Sequence, residues 1–387
     1  GMAQAIYGMG VIVGPTLGPP LGGYLVDNYS WPYIFYINIP LGIIATILAL
    51  TFVKSPKYGE KLKSNQVDWL GIFLLMAFIG SLQYVLEHGQ QDDWFNNKTI
   101  IILSTITVFG LVLFIWRELT YKRPVVNLGV LKDGNLRIGT VMCFILGFGL
   151  YGSTLIIPIY TQTILGWTAT DAGLLLIPGS ITTAFMMPIV GKLLQRGVPQ
   201  SYMVGLGFLI FFFFTYMMHN NMTPSTGVEH LYWGLILRGI GLGLLFVPIT
   251  TLSLSTLKGK DIGEGAAFTG MMRQLGGSFG IATITTFITR FNQEHRVNLV
   301  SHLDTTRLEV QQRVLTLQKG FMSKGFTANE SLNKAYQVID YSVMKQSAVL
   351  SYMDIFLYLG IMFLCCIPII FLIKKGKNTI NPADAMH

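Results

Sequence analysis

Arg238 and Arg273 each interrupt an apolar stretch long enough to cross a bilayer. A guanidinium in hydrocarbon is costly unless it meets an anion, a carbonyl or water, so each position marks a place where charge is held or moved. Arg273 follows Glu264 by nine residues, about 13.5 Å along a helix, which sets it near mid-bilayer and beyond easy reach of either interface. The same nine residues turn the helix by about 900°, so Glu264 faces the other way. The partner of Arg273 is therefore expected on another helix, within this chain or outside it, as a carbonyl or a carboxylate. Arg238 lies six residues inside the nearer end of its stretch, about 9 Å, from where it can extend to the headgroups. Anchoring and functional use are equally expected there.

The acidic residues bordering apolar stretches are Asp27, Asp68, Glu87, Asp171, Glu264 and Asp354. Each sits within about a turn of a stretch end, where carboxylates cap helices or meet water. Asp354, four residues into the last stretch, and Glu87, beside His88, are the least peripheral and are the candidates for carrying a proton. A cavity for apolar compounds needs aromatic walls with a few polar groups. Tyr151, Tyr160, Gln162, Met186 and Asn38 can supply them, and Pro158 is expected to kink the helix that carries the first three. The Phe211–Phe214 run reads as lipid-facing or packing. Cys143, Cys365 and Cys366 lie inside apolar runs, and neither they nor the six histidines have metal-ligand spacing. No Ser/His/Asp set or paired carboxylates converge at one depth, so an enzyme is the least expected reading.

These residues must be positioned by membrane helices. Of the 387 residues 51% are apolar or aromatic and 12% charged, against about 25% charged in soluble domains. Soluble enzymes, nucleic-acid binders and secreted disulfide scaffolds are excluded. Apolar runs place ten spans at about 3–26, 32–53, 69–88, 99–116, 137–164, 171–192, 201–218, 232–257, 264–289 and 351–373. Lysines and arginines fall in every second connection, from Lys54–Lys63 through Arg117–Arg137, Lys192 and Arg196, Lys258 and Lys260 to Lys374–Lys377, whereas the short connections between hold Lys98 alone. That asymmetry puts the first set, and both chain ends, in the cytoplasm. The net charge of +8 thereby reads as topology rather than nucleic-acid binding. Residues 290–350 form a polar outer segment in which Leu308, Val314, Leu315, Leu317 and Phe321 make an imperfect helical stripe. A short amphipathic helix packed on its own loop or the membrane face is favoured over a dedicated docking surface.

Gly10, Gly14, Gly18 and Gly22 recur every four residues in the first span, interleaved with Pro15, Pro19 and Pro20 and followed by Gly23. Such spacing makes a side-chain-free groove that admits another helix to backbone contact. The prolines weaken the same helix where it must bend. The eighth span repeats the device with Gly239 and Gly243, and the ninth with Ala266–Gly270 and Gly276–Gly280 pairs.

GVIVGPTLGPPLGG, from Gly10 to Gly23, resembles the antiporter signature on the fifth helix of drug:proton antiporters in the major facilitator superfamily. Trp31 with FYINIPLG (35–42), PIYTQTILGWTATDAGLLLIPG (158–179) and RQLGGSFGIAT (273–283) are similar to its fourteen-span EmrB/QacA-type branch. The resemblance runs the length of the chain. It implies an all-α membrane protein, a major facilitator helical bundle, in which these ten spans correspond to helices 5 to 14 and the first lobe is incomplete. Residues 1–53 would be the last two helices of the N-terminal lobe, 54–135 a cytoplasmic linker with two inserted helices, 136–373 the six-helix C-terminal lobe and 374–387 a cytoplasmic tail. The implied activity is export of hydrophobic or amphiphilic compounds from the bacterial inner membrane, driven by the proton gradient without a cofactor. In Gram-negative hosts the branch works with a periplasmic adaptor and an outer-membrane channel. With four first-lobe helices missing, the expectation is a chain without independent transport. The rival readings are a transporter of an anionic metabolite or lipid held by Arg273 and Arg238, and a non-transporting receptor or assembly partner using residues 290–350.

Overall fold

The computed structural model describes residues 2–53, 67–121, 124–257, 259–304 and 306–372, and among them there is no strand. The basic residues Lys54–Lys63, Lys122, Arg123, Lys258 and Lys374–Lys377, most of the linker 54–66 and the tail 374–387 lie outside the described residues. The helices are α1 (Met2–Asn28), α2 (Tyr33–Tyr36), α3 (Asn38–Phe52), α4 (Trp69–His88), α5 (Lys98–Thr120), α6 (Gly134–Thr163), α7 (Ala169–Leu174), α8 (Ile177–Gln195), α9 (Gln200–Asn221), α10 (Val228–Leu254), α11 (Lys260–Ser301), α12 (Leu308–Met322) and α13 (Ala328–Cys365). Taking α2 with α3 and α7 with α8, ten long segments stand at the ten expected positions. Eight of them are long and apolar enough to cross a membrane, and α1 and α11 are not among the eight. Glycine adds little hydropathy to α1, and α11 carries Arg273, Gln274 and Ser278 in its middle.

Local chemistry sets most of the boundaries. Asp68, Asn97, Asp133 and Thr168 each accept a backbone N–H in the first turn of the helix they precede, replacing a bond that the helix cannot make for itself. Thr327 and Glu330 form a reciprocal capping box at the start of α13. Gly325, at φ +93°, supplies the left-handed turn between α12 and α13 that a residue with a side chain would resist.

The core lies among α6, α8, α9, α10 and α13, with α11 packed along α6 and α13. Phe211 stacks on Phe363 at 4.1 Å between ring centres, and Phe208, Phe214 and Phe356 extend the cluster between α9 and α13. Phe211 and Phe214 are fully buried as packing residues, whereas Phe213 is exposed, so the run divides between the core and the outer face. α1 lies across α7, α8 and α10. α4 and α5 form a hairpin that meets the main body through α11. α3 has no buried residue.

The outer segment 290–350 is not a loop with one short helix in it. α11 runs on to Ser301 and α13 begins at Ala328, so the segment is a pair of helical extensions with α12 packed on α13. Nothing between Arg290 and Ser301 breaks a helix, and that stretch is polar because it has left the bilayer, not because it is irregular. The buried edge of α12 is Val310, Val314, Leu317 and Phe321, whereas Leu308 and Leu315, assigned to the stripe from spacing, are exposed.

Asp68 and Arg117 fasten the α4–α5 hairpin. The Arg117 Nε donates to both Asp68 oxygens at 3.2 and 3.1 Å and its Nη2 donates to Oδ1 at 3.1 Å. Burial pushes the Asp68 carboxyl up, but the Arg117 and Gly71 hydrogen bonds and the Arg117 charge outweigh it and hold it below its ordinary value of 3.8. A lowered folded-state value means that the pair stabilises the hairpin above the ordinary carboxylate range and stops doing so as pH falls through the lowered value. Asp68→Asn is expected to loosen the hairpin at neutral pH and to remove this acid-dependent step, read as faster proteolysis in the 121–133 connection.

Candidate functional site

Arg238 sits on α10, about 15 Å from Val228 at 1.5 Å per residue. Its residue is 5% exposed. The side chain does not extend to an interface but turns sideways into α6, where Nε donates to Ser153 Oγ at 2.8 Å and Nη2 donates to the Leu150 carbonyl at 3.2 Å and to Thr154 Oγ1. The expectation of extension toward the headgroups is overturned, because three oxygens on the neighbouring helix turn make a closer solvation shell. The charge is held without a carboxylate among the described residues.

Arg273 is placed differently. About thirteen residues, or 20 Å, into α11, it has neither carbonyl nor carboxylate in hydrogen-bond reach among the described residues. Instead its guanidinium carbon lies over the Phe246 ring of α10, 5.0 Å from the centroid, a cation–π contact. Among the described residues an aromatic face, not the expected carbonyl or carboxylate, stands against it. Arg273 borders a cavity of about 350 Å³ lined also by Thr250, Leu254, Ala266, Ala267, Thr269 and Gly270. A second cavity of about 380 Å³, which includes Glu264, Val126, Asn127 and Phe268, lies beside it and shares Ala267. The two charges therefore serve different cavities, as the helical rotation between them requires. Phe246 also reaches α1: a Cβ on Gly8 would meet its Cε1 at 2.9 Å and the Met187 sulfur at 3.2 Å. One buried ring thus bridges the arginine and the glycine-rich helix.

Glycines set how closely the helices approach. A Cβ at Gly276 or Gly280 would strike the Phe144 or Phe148 carbonyl of α6, and one at Gly147 would strike the carbonyl of Arg273 itself. Gly239 is similarly pressed against the Gly179 carbonyl and Gly243 against Met186. In α1 the outcome differs from expectation. Gly10, Gly14, Gly18 and Gly22 face open space, and the contacts run through Gly23 against the Ala169 carbonyl and through Pro19 and Pro20 against Gly173. The groove is present, but no helix among the described residues fills it. The Pro15 side chain lies outside the described part.

The remaining candidates are scattered. Tyr151 donates to Gln274 Oε1 at 3.2 Å and lies over Gly277, on the α6–α11 seam beside Arg273. Met186 packs in the α8–α10 seam. Tyr160, expected at a cavity wall, is fully buried, donates to the Thr223 carbonyl at 2.7 Å and packs edge-on against Tyr352. It is a structural residue between α6 and α13. Gln162 is exposed near the end of α6, and Asn38 donates to the Ile34 carbonyl on an exposed helix, so neither is brought to Arg273. Glu87 accepts from Gln83 at 3.0 Å on an exposed surface. Asp354 Oδ2 lies 2.7 Å from His295 Nε2 on α11. Asp27 accepts from Thr170 N at 2.7 Å and from its hydroxyl at 2.6 Å, and Asp171 accepts from Thr168 Oγ1 at 2.8 Å, so both tie down the start of α7. Phe246, Thr250 and Thr269 were not legible as site residues, because apolar and hydroxyl side chains in a membrane helix carry no signal until the facing helix is known.

The sequence model of the Major Facilitator Superfamily matches residues 1–281. The chain belongs to that superfamily. It is a multi-pass membrane transporter chain, not an enzyme. It is similar to the fatty acid resistance protein FarB of Neisseria gonorrhoeae, 31% identical over 96% of this chain and 71% of the relative. The multidrug export protein EmrB of Escherichia coli K12 is 32% identical over 78% of this chain and 59% of its own length. The probable multidrug resistance protein EmrY of the same strain is 29% identical over 94% of this chain and 69% of its own. The chain thus spans between about three fifths and seven tenths of these relatives, within the EmrB-type branch of the superfamily.

Proposed function

We propose that this protein exports hydrophobic or amphiphilic compounds by proton-coupled alternating access, with its basic loops and both chain ends in the cytoplasm and the molecule in a bacterial inner membrane. The observation that carries the reading is the way α1 docks. Its contacts to α7, α8 and α10 run through glycine and proline backbone at Gly23, Pro19 and Pro20 and through Gly8 against Phe246, while Gly10, Gly14, Gly18 and Gly22 stay open. Side-chain-free seams interlock little, which suits two helical bodies that rock about a midplane site. The names of FarB, EmrB and EmrY, a fatty acid resistance protein and two multidrug proteins, support export of such compounds. In a Gram-negative host a periplasmic adaptor and an outer-membrane channel belong to the same reading.

Asp354 is the proposed proton carrier in preference to Glu87. Its Oδ2 lies 2.7 Å from His295 Nε2, and both side chains are partly exposed, at 41% and 24%, so water reaches a carboxylate and an imidazole that can pass a proton between them. The test is efflux of a hydrophobic dye in energised membrane vesicles, with the chain carried in a complete two-lobe transporter. Export should collapse when the pH gradient is discharged, and Asp354→Asn should lower gradient-driven export by at least about tenfold. Export that persists after discharge of the gradient would refute proton coupling. An unaltered Asp354→Asn rate would remove Asp354 from the scheme.

A further inference from the structure

We infer that Arg273 is an anion-binding site that takes the carboxylate of an amphiphilic molecule whose apolar part lies in the cavity between α10 and α11. This names a substrate class for the cavity and rests on the export reading above.

The two membrane arginines make the case by contrast. Arg238 points its fork at three oxygens of α6 and has its charge dispersed there. Arg273, about 20 Å into α11, has only the face of Phe246 among the described residues. A ring face satisfies the charge in one direction and leaves the N–H groups at the guanidinium edge free to donate. That edge borders a cavity whose other lining residues are Thr250, Leu254, Ala266, Ala267, Thr269 and Gly270, with no second charge. The Thr250 hydroxyl donates to the Phe246 carbonyl at 2.8 Å and the Thr269 hydroxyl to the Ala266 carbonyl at 3.0 Å. With those protons committed to their own helices, Arg273 is the strong donor that faces the space.

The cavity therefore discriminates by charge. A carboxylate gains two charge-assisted hydrogen bonds from the guanidinium fork, which are shorter and stronger than neutral ones. A cation meets a like charge and no carboxylate, because Glu264 lines the neighbouring cavity. The volume, about 350 Å³, is at the small end for ligand sites, and the walls of Leu254, Ala266 and Ala267 fit an alkyl chain better than a polar metabolite. Occupancy would also be felt at α1, because the ring under the guanidinium is the ring packed on Gly8. An anion that pulls Arg273 off Phe246 frees that ring against the docked helix.

The test is equilibrium binding to the purified protein in lipid nanodiscs, using the fluorescence of three matched probes: dansyl-undecanoic acid, its methyl ester and dansyl-undecylamine. The acid should bind at least about tenfold tighter than the ester and the amine more weakly than either. Arg273→Gln should erase the acid's advantage, and Arg273→Lys, which keeps the charge but not the fork, should retain part of it. Folding of each variant is read in a Cys365→Ser, Cys366→Ser background from the buried Cys143 thiol, which must stay unreactive to a fluorogenic maleimide. Equal binding of acid and ester, or an acid preference that survives Arg273→Gln, would overturn the assignment. If Arg273→Gln loses the acid preference while gradient-driven export of uncharged dyes continues, both readings stand. An acid preference without gradient-driven export of any dye would leave the site in place and remove the export reading.

Discussion

A valine at Gly276 will keep the α6–α11 pair from assembling, whereas a valine at Gly270, six residues earlier on the same helix, will leave the fold intact. At Gly276 the new Cβ would meet the Phe144 carbonyl, backbone that cannot rotate away, and Gly280 and Gly147 hold the same seam closed one turn further on and from the opposite side. At Gly270 there is nothing within 4 Å. Overpacking against backbone costs about 3 kcal/mol, a large part of the stability of a single domain. Gly270→Val should stay within about 0.5 kcal/mol of the parent, the range of substitutions that touch nothing. The measurement is the thermal midpoint in detergent, followed, in a Cys365→Ser, Cys366→Ser background, by maleimide labelling of Cys143, which lies buried in α6. The pair also separates stability from function. Gly270 lines the Arg273 cavity, so its valine variant should fold normally and bind amphiphiles less tightly. Gly147 rests on the carbonyl of Arg273, so opening the seam at that glycine should move the arginine as well.

How much of this was readable beforehand differs by kind of feature. Helix positions were readable because apolar length and loop charge are set by the bilayer, a solvent with fixed thickness. The capping role of Asp68 followed from its place at a stretch end, whereas Asp27, at the end of α1, holds the start of α7 instead. What spacing does not encode is the identity of the facing helix. Gly10–Gly22 and Gly276–Gly280 have the same four-residue period, yet one row is open and the other is closed on α6. Tyr160 and Tyr151 lie on one helix, yet one is locked against Tyr352 and the other reaches Gln274. The continuation of α11 past the bilayer was also hidden, because a helix that leaves the membrane changes its composition without changing its period.

Lysine, the conservative replacement for Arg238, is expected to be more damaging than methionine. The guanidinium bridges Ser153, Thr154 and the Leu150 carbonyl through two of its nitrogens in a planar fork. An ammonium is a compact, strongly hydrated point charge that cannot span those oxygens, and at this depth its lost hydration is not replaced. Methionine removes the charge, fills most of the volume and leaves Ser153 and Thr154 bonded to their own helix at the Gly149 and Leu150 carbonyls. Replacing a buried charge by an apolar side chain of similar size is often close to neutral. Ser153→Ala takes away the acceptor of Nε and strands a charged donor in the core, for a loss of about 2 kcal/mol. The same alanine introduced beside Arg238→Met has no charge to strand. The double-mutant cycle should therefore show coupling of about 1–2 kcal/mol, with Arg238→Met rescuing Ser153→Ala. Additive effects, or a lysine variant as stable as the parent, would mean that the charge finds another partner when Ser153 is lost. Midpoints from Cys143 labelling across the four proteins and Arg238→Lys decide it. If Arg238 only ties α10 to α6, the methionine variant will also keep its export rate, which distinguishes it from Arg273, where removal of the charge is expected to change what is bound.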